Sequence, residues 1–296
     1  MVSIAIVGVG AIGSVVAALL EQAGRHEVFL CVRRPLTGLM VESPDGPVRV
    51  RAAIVTDPGT APAVDWVIVA TKAYDVPGAA KWLDRLRANN APVAVLQNGV
   101  EHRDRFAPFV PLPSILPVIV DCPVERPAPD LVRQRGAMSL KAPTSATGQA
   151  FVELFTGTKA EAVVVDDFLC AAWTKLCFNS AGVLPALLLQ PAGVLRGQAV
   201  GEVASQIIRE CIAVGRAEGA RLEDALAETV LQRYRSSPAD SINSLHADRL
   251  AGRPMELDAR NGVIVRLGRK HGIPTPANGM AVALLEEMTK KPLTVP

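Results

Sequence analysis

The chain has 296 residues, of which 49% are hydrophobic and 20% are charged, and its formal net charge is +2. This length suits two domains, and the composition excludes a disordered chain. The small net charge, with both signs interspersed, excludes a basic nucleic-acid-binding surface. The five cysteines form no C-x-x-C pair and the four histidines no H-x-x-x-H pair. These counts predict free thiols in the cytoplasm and no metal site.

The N-terminal segment predicts a strand over residues 4–7, a glycine-rich turn and then a helix that ends near Gly24. In the G-x-G-x-x-G pattern, Gly8 permits the tight turn, Gly10 leaves room for a pyrophosphate, and Gly13 lets the helix pack close to the strand. The free N–H groups of the helix would face the phosphates. The pattern therefore predicts a dinucleotide site, and the alternative is a glycine turn in another kind of α/β protein. The expected lining residues of the turn are Gly8, Gly10, Ala11, Ile12 and Gly13.

A second predicted strand, residues 27–32, ends in Arg33 and Arg34. An NAD site usually has an acidic residue at this point to bind the ribose 2′-hydroxyl, but none occurs between Val28 and Thr37. A guanidinium suits a 2′-phosphate instead. We therefore expect NADP(H), bound by Arg33. The alternative is that one or both arginines are solvated surface residues, Arg34 before Arg33 because it lies next to Pro35.

The rest of the first half alternates between strands and helices, which indicates a parallel sheet. We expect strands over 65–70, 92–96 and 162–165, a helix over 76–87, and hairpins over 39–50 and 132–141. Seven prolines fall between residues 108 and 129, so any strands there should lie at sheet edges.

The second half has helical periodicity. Helices are expected over 168–189, around 200–214, and over 225–235, 257–270 and 277–288. Residues 176–195 carry no charge, but prolines and polar residues within them indicate buried, broken helices and not a membrane span. The predicted fold is α/β: an N-terminal Rossmann-type parallel-sheet domain (residues 1–165) followed by an all-helical C-terminal domain (166–296).

Five short motifs in a fixed order give this sequence a family resemblance. They are the glycine turn at 8–13, T-K-A-Y-D at 71–75, L-Q-N-G at 96–99, W-T-K-L-x-x-N at 173–179 and G-R-P-M-E-L-D at 252–258. The chain resembles the ketopantoate reductase (2-dehydropantoate 2-reductase) family along its whole length. This resemblance implies an NADPH-dependent reduction of a 2-keto acid in a cleft between the two domains.

Lys175 is the expected general acid. Carbonyl reduction places negative charge on the oxygen, which a neighbouring ammonium can stabilise and protonate. Its apolar surroundings imply partial desolvation, and the alternative is a lysine whose head reaches water. Asn179, four residues on and on the same helix face, is expected to bind the substrate. The family commonly has a second asparagine at the position of Val183, so a more apolar 2-keto acid is an alternative substrate.

The resemblance implies that Glu256 is a catalytic residue that binds or orients the substrate oxygen near Lys175, and that Ser244 donates a hydrogen bond to the substrate carboxylate. A surface position is the alternative for Glu256, and a helix N-cap is the alternative for Ser244, with Asn243 and Ser241 as rival carboxylate ligands. Asp258 and Asn261 fit the family pattern but are expected to support the helix.

Asn98 and Lys72 follow predicted strands, and ligands of such sheets bind beyond the carboxyl ends of strands. We expect Lys72 near the cofactor and Asn98 near both cofactor and substrate. The overall expectation is a cytoplasmic reductase that makes pantoate for coenzyme A synthesis, with a helical domain that permits a homodimer. A non-catalytic NADP(H) sensor is the alternative from another functional class.

Overall fold

The computed structural model describes residues 1–290. The chain divides into two compact units, Met1–Phe168 and a second that begins at Leu169. Each unit is described separately below.

The first unit combines three sheets with four α-helices. In chain order its elements are β1 Val2–Val7, α1 Ala11–Ala23, β2 His26–Cys31, β3 Leu39–Ser43, β4 Gly46–Val50, β5 Ala53–Val55, β6 Trp66–Val69, α2 Val76–Leu86, β7 Val93–Val95, α3 His102–Phe106, β8 Ile115–Pro117, β9 Ile119–Asp121, β10 Val124–Ala128, β11 Leu131–Gln134, β12 Ser139–Pro143, α4 Ala146–Leu154 and β13 Glu161–Val165.

The main sheet has six parallel strands in the order β5-β2-β1-β6-β7-β8. Strand β1 is buried on both faces: Ile4 and Ile6 pack on the side of α1, and Ala5 and Val7 on the side of α2. This double burial explains why the strand is apolar throughout and does not alternate. The strand order reverses between β1 and β6, the place where ligands bind in such sheets. The predicted Rossmann-type sheet is confirmed.

The two smaller sheets test the predicted hairpins. The hairpin over 39–50 is confirmed, since β3 and β4 pair in antiparallel fashion. The hairpin over 132–141 is wrong, because β11 pairs with β10 and β3 whereas β12 lies between β9 and β13 in a different sheet. Strand β12 is the central strand of its sheet and buries Leu140 and Ala142 completely. Its pairing with β9 and β13 is therefore favoured over a local hairpin with β11. Strands β8 and β10, which contain Pro117 and Pro127, and β9, which lies between Pro117 and Pro123 in the chain, each occupy a sheet edge, as predicted.

The second unit is helical, as predicted. Its helices are α5 Phe168–Ala181, α6 Val183–Leu188, α7 Gln198–Ala217, α8 Leu226–Ser236, α9 Ser244–Leu250, α10 Val263–His271 and α11 Pro276–Thr289, with a π-helical turn at Asp258–Gly262 directly before α10. The break predicted at a proline within residues 176–195 falls at Gly182, three residues before Pro185. Pro185 is accommodated in the first turn of α6, where its missing N–H has no partner to lose. Across residues 1–290, each helix is too short or too polar to span a bilayer.

Candidate active site

The glycine turn connects β1 to α1 at the point where the strand order reverses. Gly8 has a positive φ of 94°, and a Cβ on it would lie 2.6 Å from the Thr71 main chain. A Cβ on Gly13 would lie 2.2 Å from the Gly8 carbonyl oxygen, so both positions are closed by the protein itself. A Cβ on Gly10, by contrast, would meet no atom within 4 Å. The space over Gly10 and the first N–H groups of α1 therefore fit the pyrophosphate of a dinucleotide.

Two loops follow β6 and β7 at the same end of the sheet, and they carry Lys72 and Asn98. The side chain of Gln97 joins them, since its Nε2 donates to Thr71 Oγ1 at 3.0 Å and to the Lys72 carbonyl at 3.4 Å. Gln97 is only 6% exposed, and its main-chain carbonyl accepts a 2.8 Å hydrogen bond from Nε2 of the His102 ring. Burial lowers the pKa of His102, which keeps this imidazole neutral near pH 7. Gln97 was given no role from the sequence, although a polar residue directly after a buried strand is a usable signal.

Arg33 lies two residues after Cys31, the last residue of β2, and its side chain is 80% exposed. Its Nη1 lies 3.4 Å from a carboxylate oxygen of Asp75, at the start of α2. The acidic residue missing from the second strand is thus supplied by another loop. It pairs with the arginine, and the guanidinium of Arg33 keeps most of its surface open to a ligand.

Arg126 on β10 supports the glycine turn. Its Nη1 donates to the Val9 carbonyl at 2.9 Å, and its Nη2 donates to the Pro129 carbonyl. The sequence carries no signal for this contact, because 117 residues separate Arg126 from Val9. The contact fixes the main chain of the turn from the side of the second sheet.

In the second unit, Lys175 and Asn179 both lie on α5, one helical turn apart, and both are half-buried. Val183, at the start of α6, is fully buried. The partial burial of Lys175 agrees with the expected desolvation.

The junction between α5 and α6 brings three polar residues together. Arg260 Nη2 donates to the Asn179 carbonyl, and Asn243 Nδ2 donates to the Gly182 carbonyl at 2.9 Å. A Cβ on Gly182 would lie 2.9 Å from each of these two nitrogens, so a larger residue there would displace both side chains. The Asn179 carbonyl also accepts from the Gly182 main-chain N–H at 3.1 Å, so the two side-chain donors add to the hydrogen bonding of the helix junction.

Asn243, and not Ser244, is the N-cap of α9. Its Oδ1 accepts a 3.0 Å hydrogen bond from the His246 N–H. The N-cap alternative for Ser244 is therefore wrong, because the preceding residue already fills that position. Ser244 is the first residue of α9 and is exposed. Since both ends of the Asn243 amide are used, it is a weaker rival for a substrate carboxylate than Ser241.

Glu256 is buried, with 6% of its surface exposed, so the alternative of a surface glutamate is wrong. It comes directly before Leu257, from which the π-helical turn continues to Arg260 and Asn261. Asp248, on α9, is also buried and pairs with Arg253 at 2.9 Å. The charges of both carboxylates act on Arg260, which contacts Asn179 on α5.

A buried hydrogen-bond network connects α7, α11 and the π-helical turn to the C-terminal end of α5. Glu210 on α7 accepts from the Ala277 and Asn278 main-chain N–H groups, each at 2.9 Å, and so caps α11. Asn278 Oδ1 accepts from Asn261 at 2.9 Å, and Asn261 donates in turn to the Ser180 carbonyl at 3.0 Å. Asn261 therefore supports α5, next to Asn179. Asp258 is exposed and pairs with Arg266.

Residues 1–290 contain no cluster of three or more His, Cys, Asp or Glu side chains that could hold a metal ion. The groups gathered at the two places described above are amides, hydroxyls, carboxylates and cations.

Comparison with known proteins identifies the family. Residues 4–146 match the family model "Ketopantoate reductase PanE/ApbA", and residues 167–289 match the model of its C-terminal region. The chain belongs to the ketopantoate reductase family.

Relatives of this ketopantoate reductase family member match over nearly the entire chain. The 2-dehydropantoate 2-reductase of Caulobacter vibrioides is 48% identical over 285 residues, which is 96% of this chain and 98% of that protein. The enzyme of the same name from Mycobacterium tuberculosis is 40% identical over 292 residues, 98% of each chain. The crystal structure of a PanE/ApbA family ketopantoate reductase from Ralstonia eutropha JMP134 has a TM-score of 0.87 at 32% identity, and covers 97% of this chain and 98% of that one.

Proposed function

We propose that this protein catalyses the NADPH-dependent reduction of 2-dehydropantoate (ketopantoate) to pantoate, for pantothenate and coenzyme A synthesis. The observation that carries the proposal is the 48% identity to a 2-dehydropantoate 2-reductase over 96% of the chain. Membership of the family makes the protein an oxidoreductase with a nicotinamide cofactor. The preference for NADPH rests on Arg33, which presents an exposed guanidinium at the end of β2.

The Rossmann-type unit would hold the cofactor. The open space over Gly10 and the N-terminus of α1 would receive the pyrophosphate, with Ala11, Ile12 and the closed positions Gly8 and Gly13 shaping the turn. Lys72 and Asn98, joined through Gln97, would line the nicotinamide end. When bound, the reduced nicotinamide supplies the hydride for the C2 carbonyl of the substrate.

The helical unit would supply the remaining groups. Lys175 donates a proton to the carbonyl oxygen as negative charge develops there, which completes the alcohol. Asn179 donates a hydrogen bond to a substrate oxygen, and Ser244 donates one to the substrate carboxylate. Glu256, buried near the same end of α5, orients the substrate and balances the charge of Lys175.

We propose further that the protein is cytoplasmic and forms a homodimer. Five free cysteines suit a reducing compartment. On α11, the side chains of Met280, Leu284 and Met288 recur every four residues and are 59%, 47% and 56% exposed. We propose that this row packs against a second copy, and light scattering on a size-exclusion column measures the mass that tests it.

NADPH oxidation with a panel of substrates tests the proposed reaction. The panel contains 2-dehydropantoate, several branched 2-keto acids and larger apolar ones. We expect the highest kcat/KM with 2-dehydropantoate. Turnover confined to larger apolar acids would favour the substrate alternative raised by Val183. NADPH binding without turnover of any acid would refute the enzymatic proposal and favour a sensor.

A further inference from the structure

The buried guanidinium of Arg260 has no role in the reaction as described so far. Arg260 is 3% exposed and lies on the π-helical turn, four residues after Glu256. One of its nitrogens, Nη2, donates to the Asn179 carbonyl. Within residues 1–290, its buried Nε has no hydrogen-bond partner. A burial this complete is expensive for a cation whose donors are not all used.

The charges that face Arg260 come from several elements of the helical unit. Glu256 precedes it on the same segment, Asp248 faces it from α9, and the Tyr234 phenol faces it from α8. Burial lowers the pKa of Arg260, and the charges of Glu256 and Asp248 act in the opposite direction. Burial raises the pKa of Tyr234, whose hydroxyl donates to the Phe178 carbonyl at 2.8 Å, so this phenol is neutral at pH 7. The guanidinium itself stays charged.

The contact with Asn179 places this charge next to a proposed substrate residue. Asn179 lies one helical turn after Lys175, and Glu256 lies one turn before Arg260. A 2-keto acid enters as an anion, and the transition state adds negative charge on its carbonyl oxygen. A fixed cation beside this part of the site lowers the energy of both anions, because it is already oriented and desolvated.

On the basis of the proposed function, we infer that Arg260 is a specificity-determining residue that selects substrates with a free carboxylate and holds the main chain of Asn179 in position. Arg260 acts through the electrostatic field of its charge and through its hydrogen bond to the Asn179 main-chain carbonyl. Lys175 remains the proton donor.

A purely structural role makes a different prediction. As a cap of α5, Arg260 would stabilise the helix end, since cations are favourable near a helix C-terminus. Its loss would then reduce the turnover of charged and neutral substrates by the same factor. The role inferred above affects the charged substrate more, so the ratio between the two substrates separates the explanations.

The experiment compares 2-dehydropantoate with its carboxamide, which has nearly the same shape and no charge. We expect Arg260→Met to lower kcat/KM for the acid at least about tenfold more than for the amide. Arg260→Lys should restore most of the selectivity, because it keeps the charge. Arg260→Gln is a second neutral variant in case the methionine variant does not fold, since its amide can still donate to the Asn179 carbonyl. If the amide reacts too slowly, the ratio of the inhibition constants of pantoate and pantoamide measures the selectivity for the carboxylate in binding, and Arg260→Met should lower that ratio too.

Arg266→Met is the matched control, because Arg266 is an exposed arginine on α10 that pairs with Asp258. It should leave the ratio of acid to amide unchanged. An equal loss with both substrates in Arg260→Met, or in Arg260→Gln, would overturn the inference while the wild-type activity leaves the proposed function intact. A wild-type enzyme that reduces no 2-keto acid would overturn the proposed function, and the inference with it.

Discussion

The contrast between Gly10 and Gly13 separates cofactor binding from folding within a single turn. A methyl group on Gly13 would lie 2.2 Å from the Gly8 carbonyl oxygen, whereas real Cβ contacts begin at 3.0 Å. The main chain of the turn must open to accept it. Such overpacking costs about 3 kcal/mol, and the better helix propensity of alanine returns about 1 kcal/mol. Gly13→Ala should therefore lower the melting temperature by about 4–8 °C.

Gly10→Ala should leave the fold almost unchanged. Gly10 has φ −83° and ψ −159°, an extended conformation that alanine adopts freely, and its added methyl group would meet no protein atom within 4 Å. That methyl would instead occupy the space assigned to the pyrophosphate. We expect the affinity for NADPH and for NADH to fall by at least about 30-fold, which corresponds to about 2 kcal/mol.

Differential scanning fluorimetry measures the stability of the two variants, and the quenching of protein fluorescence measures the Kd of each dinucleotide. Gly38→Ala is the matched control, since Gly38 has an unstrained φ and an added methyl would meet no atom there either. It should change neither quantity. The reasoning fails if Gly10→Ala binds NADPH with the wild-type Kd, or if it loses as much stability as Gly13→Ala.

Three further predictions concern charged side chains. Arg33→Ala should weaken NADPH binding at least about tenfold more than NADH binding, and Arg34→Ala should weaken neither; equal losses of both dinucleotides in Arg33→Ala would refute the 2′-phosphate assignment. Lys175→Ala should lower kcat by about 100-fold or more with little change in the Kd of NADPH, and an unchanged kcat would remove Lys175 from its role. The hydrogen bond from His271 holds the pKa of Glu218 below its usual value, so the pair stabilises the fold above the ordinary glutamate pKa and loses this effect as the pH falls through the lowered one. Glu218→Gln should therefore lower the melting temperature at pH 7 and approach the wild type in acid; a gap that persists in acid would contradict this origin.

Much of the fold follows from local patterns in the sequence. The apolar run of β1, the spacing of the glycines and the periodicity of the later helices each depend on neighbouring residues, so they predict a parallel sheet followed by helices. The prolines within β8 and β10 likewise place these strands at sheet edges, because proline cannot donate a ladder hydrogen bond. Pairing between distant strands has no such local signal. The predicted hairpin over 132–141 failed for this reason.

The candidate site divides in the same way. Lys175 and Asn179 share a helix face through their spacing alone, and the glycine turn needs only its own backbone. The burial of Glu256 has no such local origin. The contact of Arg260 with Asn179 joins segments that lie 81 residues apart in the chain. Such contacts depend on how whole helices pack, because the energy of a buried charge is set by neighbours from the entire unit and not by the residues beside it in the chain.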